Sequence, residues 1–256
     1  MNSLHRFFLP NQTIHIDQPI NLELIAHQLQ VVLRLQPGAQ VILLDEGGRA
    51  FLTELTALAR KVATGQVLAQ LPDPPEPTVH VTLYQASLKA DKFEWVLQKG
   101  TELGVARFVP VISQRSIVRP ETALLKKYER WQTILREAAE QCGRGRVPML
   151  DAPQLWPAAI QQAQGCRLLP WEVPTHSSVT VQTALAASTA GPDDKRQPIS
   201  LIVGPEGGIT VEEATTAQAA GWQAVSLGPR ILRAETAALT SIVLVMEHLD
   251  QLAFDP

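Results

Sequence analysis

In the first 77 residues the apolar positions fall into short runs broken by polar turns. Val41 to Leu44 forms one such run. Glu46-Gly47-Gly48-Arg49 then suits a hairpin turn, and Ala50 to Thr53 suits the returning strand. One helix is expected near Leu22 to Leu35, because Leu22, Ile25, Leu29 and Val32 recur at intervals of three and four. Further on the rhythm becomes strand, helix, strand, helix. Val79 to Tyr84 alternates like a strand, and Phe93, Val96 and Leu97 put a helical stripe on Lys89 to Leu103. Phe108 to Ile112 is strand-like, and Leu124, Leu125, Tyr128, Trp131, Leu135 and Ala138 line one face of a helix. Later strands are expected at Arg167–Leu169, Ser200–Val203 and Gln223–Leu227, with a last helix over Ala234–Leu252. Such alternation predicts an α/β fold, a parallel sheet crossed by helices.

Between the two rhythms stands Pro72-Asp73-Pro74-Pro75-Glu76-Pro77. Its four prolines fix φ and remove backbone donors, so neither a helix nor a central strand can run through it. The expected division is therefore a front domain over 1–72, a linker over 73–78 and a larger domain over 79–256. Of the 256 residues 45% are hydrophobic, enough to fill such cores and too many for a disordered chain. No apolar run approaches the roughly eighteen residues of a membrane span, and Pro10 cuts off Phe7-Phe8-Leu9 before it could form a signal peptide. Cys142 and Cys166 are too few for a disulfide scaffold. A soluble, cytoplasmic protein is expected. The net charge of −3 excludes a histone-like polycation. Residues 78–148 nonetheless hold twelve basic and seven acidic side chains. Arg115, Arg119, Arg144 and Arg146 lie there in loop-like surroundings, where an anionic partner competes evenly with a merely solvated surface.

Three of the expected strands end in unusual loops, on the side where open α/β sheets place ligands. They are Leu169-Pro170-Trp171-Glu172, Gly204-Pro205-Glu206-Gly207-Gly208, and Leu227-Gly228-Pro229-Arg230-Ile231-Leu232-Arg233. Thr210 and Glu213 have capping-box spacing, so the second loop sits just before a helix amino end. Neither a dinucleotide fingerprint nor a P-loop is present. One Gly-Pro loop alone is usually a tight turn. Three unusual loops on successive strand ends, two of them rich in Gly and Pro, indicate a ligand site.

Gly204–Gly208 together with Ser226-Leu-Gly-Pro-Arg-Ile-Leu-Arg-Ala-Glu-Thr-Ala237 resembles the RsmE family of ribosomal RNA methyltransferases, within the SPOUT superfamily. The likeness continues through His5–Phe8, Val32–Leu35, Ala86–Ala90, Gln98–Gly104, Arg115-Ser116 and Glu137–Arg144. Trp171 stands where many members have His. The resemblance implies an amino-terminal PUA-like β-barrel that binds RNA, joined to an α/β domain with a deep trefoil knot through which the last helix is threaded. It implies a homodimer with its active site near the dimer interface, and S-adenosyl-L-methionine as cofactor. The implied reaction is methylation of N3 of one uridine in the decoding region of 16S rRNA, within the 30S subunit. The three loops would wrap the cofactor, with Leu169, Pro170, Glu172, Gly204, Pro205, Gly207, Gly208, Leu227, Gly228, Ile231, Leu232, Thr236 and Ala237 around it. His5, Arg6, Arg34, Lys89, Lys92, Arg115, Arg119, Arg144, Arg146 and Arg230 are the expected rRNA contacts.

Uracil N3 is a neutral imide and must lose a proton before it can accept a methyl group. A cation near the carbonyl oxygens or a general base would serve. Arg233 is the expected stabiliser of the developing charge, and Glu206 or Glu235 the expected proton acceptor. Both glutamates would also suit helix amino ends without any chemistry. Cys142 needs no covalent role in N3 chemistry and is expected to be a packed side chain. The six His do not cluster at metal-ligand spacing, and no metal is expected. An RNA methyltransferase accounts for the loops, the basic middle segment and the front domain together. A non-catalytic assembly factor accounts only for the last two, and a small-molecule transferase only for the loops.

Overall fold

The computed structural model describes residues 4–10, 12–59, 62–117, 120–172, 179–188 and 197–252. Arg119 lies outside them. The chain forms two compact units, Met1–Glu76 with Ala139–Val147, and Pro77–Ala138 with Pro148–Pro256.

In the first unit β1 (Arg6–Phe8), β2 (Pro19–Asn21), β3 (Gln40–Leu44), β4 (Ala50–Ala59) and β5 (Val62–Gln70) form one sheet in the order β1-β3-β4-β5-β2. The hairpin expected at 46–49 joins β3 to β4, with Leu44 opposite Ala50. Phe7, Leu9, Leu22, Leu29, Val41, Leu43, Phe51 and Leu55 fill the core beneath it. The expected helix over 22–35 is different in kind. Glu23–Ile25 is a 3-10 turn and Gln28–Val32 a π-helix, in which the Leu33 N–H bonds the Gln28 carbonyl. An i→i+5 turn is wider than an α-turn, so three residues no longer return to the same face. Leu22, Ile25 and Leu29 are accordingly buried while Val32 is 62% exposed.

A short excursion of the chain belongs to this unit as well. The Glu76 carboxylate accepts the N–H groups of Gly145 (2.9 Å) and Arg146 (3.1 Å) and pairs with the Arg144 guanidinium at 2.8 Å. Arg6 donates to the Gly143 carbonyl at 3.1 Å, and the Phe8 N–H to Glu140 at 3.0 Å.

The second unit holds the expected parallel sheet. Its elements are β6 (Val81–Ala86), α1 (Ala90–Glu102), β7 (Arg107–Ile112), α2 (Glu121–Leu125), α3 (Tyr128–Cys142, of which residues from Ala139 on count with the first unit), β8 (Met149–Leu150), β9 (Gln154–Leu155), α4 (Trp156–Gln162), β10 (Cys166–Pro170), β11 (Val179–Thr180), α5 (Val181–Ser188), β12 (Ile199–Val203), α6 (Val211–Ala219), β13 (Gln223–Ser226) and α7 (Ala234–His248). The strand order is β11-β13-β10-β12-β6-β7-β8, with β9 beside β7, and every pairing is parallel. The single helix expected across 124–138 is two, with the turn at Lys126–Lys127. One core cluster joins Tyr84, Val109, Leu169 and Ile202 of the strands to Trp156 and Ile160 of α4, Ala214 and Ala217 of α6, and Trp222. The Trp222 indole donates to the Ile160 carbonyl at 3.0 Å, so its buried N–H is satisfied. Near β12, α7 packs between α1 and α5. Among the described residues no helix is long and apolar enough to cross a membrane.

Glu76 sets a testable energy. Glu76→Ala takes the carboxylate away from the Arg144 side chain, 8% exposed, and from two backbone donors. Because Glu76 is itself 24% exposed, the loss should fall below that of a fully buried pair, at about 2 kcal/mol. Urea denaturation measures it, and a loss under about 0.5 kcal/mol would mean that solvent already replaces the carboxylate.

Candidate functional site

The strands β13, β10, β12 and β6 are neighbours running in one direction, so their carboxyl ends share one sheet edge. The loops at 171–172, 204–208 and 227–233 leave from that edge, together with the lead into α1. They enclose a cleft of about 370 Å³, within the range of small-molecule and cofactor sites. Pro170, Glu172, Gly204, Pro205, Glu206, Gly207, Gly208, Ile231, Leu232, Arg233 and Ala237 line it, joined by Lys92, Val203, Ile209 and Ala234.

Close packing explains the glycines of the second loop. A Cβ on Gly204 would lie 2.6 Å from Ile209 Cγ1, and one on Gly207 would lie 3.1 Å from Arg115 Cβ. Gly208 has φ +73°, and a Cβ there would meet the Glu172 carboxylate at 2.8 Å. Gly228 differs. Its φ of +108° calls for glycine, yet a Cβ would meet nothing within 4 Å.

Polar contacts from distant segments hold this loop. Arg115 donates to the Gly207 carbonyl at 3.0 Å. Thr210 and Glu213 close the capping box that starts α6, as their spacing indicates. The buried Glu213 carboxylate also accepts the Gln114 N–H at 2.7 Å, which ties the segment after β7 to the amino end of α6. That amino end favours negative charge, since the Glu212 carboxyl is held below its usual range by its own backbone N–H and the Thr210 hydroxyl.

Charged groups meet on the other wall. Lys92 Nζ lies 3.8 Å from Glu206 and 3.4 Å from Glu235. Glu206 Oε1 also accepts the Lys89 N–H at the start of α1, at 3.2 Å. One oxygen of each glutamate, Oε2, is out of water and without a hydrogen-bond partner. Arg233 caps α7 with its backbone only, and its exposed guanidinium has no ion-pair partner among the described residues. Among those residues, no group of three or more His, Cys, Asp or Glu is arranged to hold a metal.

The family model "RNA methyltransferase domain" matches residues 74–246. A ribosomal RNA small subunit methyltransferase E from Synechocystis is 36% identical over 224 residues, covering 88% of this chain and 71% of its own. Its counterpart from Bacillus subtilis is 30% identical over 233 residues, 90% of each chain. The chain belongs to the ribosomal RNA small subunit methyltransferase E family. The family's solved structures include the Neisseria gonorrhoeae protein bound to S-adenosyl methionine, 32% identical with a TM-score of 0.81 over 96% of this chain and 98% of that one. A Legionella pneumophila putative methyltransferase in complex with the same cofactor is 29% identical, with a TM-score of 0.84 over 96% and 98%.

Of the residues that family resemblance suggested, Leu169, Leu227, Gly228, Thr236 and Glu235 do not line the cleft. Leu169 is in the core, and Glu235 pairs with Lys92, which does line the cleft. Trp171 is likewise a core residue. Among the expected rRNA contacts, His5, Arg34, Lys89, Arg115, Arg146 and Arg230 are exposed. Arg144 is not available as expected, because it is 7% exposed and committed to Glu76. Arg6 is half-buried on Gly143, and Lys92 is held by carboxylates rather than standing free for phosphate. Cys142 is exposed, not packed, while Cys166 is buried and burial pushes its thiol up. The clamps made by Arg115 and Glu213 escape sequence reasoning, since each joins residues over ninety positions apart.

Glu213→Ala removes the acceptor of two backbone donors, Gln114 and Thr210. The expected cost is about 2 kcal/mol, cap included. Amide exchange at Gln114 should lose its protection; full protection there would mean that the clamp is dispensable.

Proposed function

We propose that this chain, a family member and an S-adenosyl-L-methionine-dependent ribosomal RNA methyltransferase, methylates N3 of one uridine in the decoding region of 16S rRNA. The observation that carries the reading is the cleft itself, where the glycine loop 204–208 adjoins a carboxylate and an arginine that has no ion-pair partner among the described residues. The group expected there fits these residues. Gly204, Gly207 and Gly208 offer a cradle without side chains, and Ile231 is 84% exposed as an apolar surface.

When bound, the cofactor supplies an electrophilic methyl group. The chain's residues supply the rest. The backbone of 204–208 and the side chains of Ile231 and Leu232 grip the ligand and keep water from it. The N3 proton of the base passes to Glu206 or Glu235, which frees the nitrogen lone pair to accept a methyl group; as that N–C bond forms, the cofactor's C–S bond would break and its electron pair would leave on sulfur as a neutral thioether. The Arg233 guanidinium hydrogen-bonds the uracil carbonyl oxygens as their negative charge grows. Arg230, Arg115 and Lys89 around the cleft, with His5, Arg34 and Arg146 in the first unit, hold rRNA phosphates. In this reading residues 1–72, joined by 139–147, are a PUA-like RNA-binding barrel, and the rest of 79–256 is a knotted SPOUT domain. The protein works as a cytoplasmic homodimer on the 30S subunit.

The direct test incubates the purified protein with labelled cofactor and 30S particles from a strain lacking the gene, then maps the product. N3-methyluridine at one decoding-region position is expected; label at C5 of uracil, or none, overturns the reading. Gly204→Val drives a branched side chain into Ile209 and should weaken cofactor binding by about ten-fold, the equivalent of 1–2 kcal/mol of overpacking. Unchanged calorimetric affinity in a folded variant would remove the loop from the cofactor site. Arg233→Ala should lower kcat by about two orders of magnitude with little change in cofactor affinity, and higher pH should partly restore the rate. A normal kcat with a raised KM for rRNA would leave Arg233 only an anchoring role.

A further inference from the structure

Among the described residues, Lys92 joins three separate elements of the site. It stands in the first turn of α1, Glu206 comes from the loop after β12, and Glu235 from the first turn of α7. Both carboxylates lie within 4 Å of its ammonium, at 3.8 and 3.4 Å, and its side chain is 26% exposed. A lysine that anchors phosphate needs reach and freedom. Lys92 has given up both.

Two physical effects follow from a cation placed between two carboxylates. It offsets their mutual repulsion, and it fixes two flexible side chains that would otherwise sample several rotamers. The contacts use Oε1 of each glutamate and leave Oε2 of each buried with no donor. Buried acceptors without partners are rare and unfavourable unless a ligand completes them. A uracil base brings such a donor, its N3–H. The tethering is unequal. Glu206 has a second hold through the Lys89 N–H, whereas Lys92 is the partner that the described residues give Glu235.

We propose that Lys92 is a positioning residue for methyl transfer, holding Glu206 and Glu235 by one oxygen each so that a second oxygen is left for the N3 proton of the base. The proposal rests on the functional reading above and assigns Lys92 away from rRNA binding. Its removal frees Glu235 more than Glu206.

The experiment compares Lys92→Met and Lys92→Arg with the wild type in methylation of 30S particles, alongside the salt dependence of rRNA binding. Lys92→Met should lower kcat by about 10²-fold, the scale of a misplaced reacting group, with KM for rRNA and the salt slope unchanged. Lys92→Arg, which can still bridge two carboxylates, should recover most of the rate. In a Glu235→Gln background, Lys92→Met should cost much less than it does alone, because the residue acts through that carboxylate. A normal kcat with a raised KM and a shallower salt slope would make Lys92 a phosphate anchor and overturn the proposal. Equal losses in the Met and Arg variants, or full additivity with Glu235→Gln, would overturn it too. Should Lys92→Met fail to fold, the Arg variant and the salt slope still decide. A wild-type protein that methylates no rRNA overturns the functional reading, and this proposal with it.

Discussion

Parallel pairing is the constraint on which the rest of the second unit depends. Each strand must be followed by a crossover before the next can enter in the same direction. The four central strands therefore deliver their loops to one edge, and residues far apart in sequence meet there without any local signal. Gly204 and Arg233 are neighbours across the cleft for that reason. The register, with Leu168 opposite both Leu201 and Gln223, fixes how far each loop projects.

Much of this was legible from the chain. Alternation of strand and helix predicted the parallel sheet, and the spacing of Thr210 and Glu213 predicted the cap that starts α6. The three loops stood out because Gly and Pro are costly inside elements and informative at their ends. Periodicity failed where its assumed pitch failed. The 22–35 segment has apolar residues at α-helical intervals, but its π-turn carries Val32 to the surface. Nothing local marked the break at Lys126–Lys127 either.

Charge was the least legible property. A basic residue in a loop looks the same in sequence whether it faces solvent or a carboxylate. Arg144, Arg146, Lys89 and Lys92 all come from the basic segment, yet Arg144 and Lys92 are spoken for by Glu76, Glu206 and Glu235. Those acidic partners lie outside the segment. A local excess of positive charge therefore overstated the number of groups free to meet an anion.

The way Glu76 grips 143–147 bears on how this chain can change over evolutionary time. Two of its contacts are to backbone N–H groups, which every residue but proline possesses. Substitutions at the exposed position 146 leave its donor in place, whereas a Cβ on the buried Gly145 would lie 3.0 Å from the Gly48 carbonyl oxygen and 3.2 Å from Pro74. Insertion or deletion of one residue would instead carry the donors away from the carboxylate. Length is thus constrained in this segment alongside the identities of Arg144 and Gly145, unlike in an ordinary surface loop.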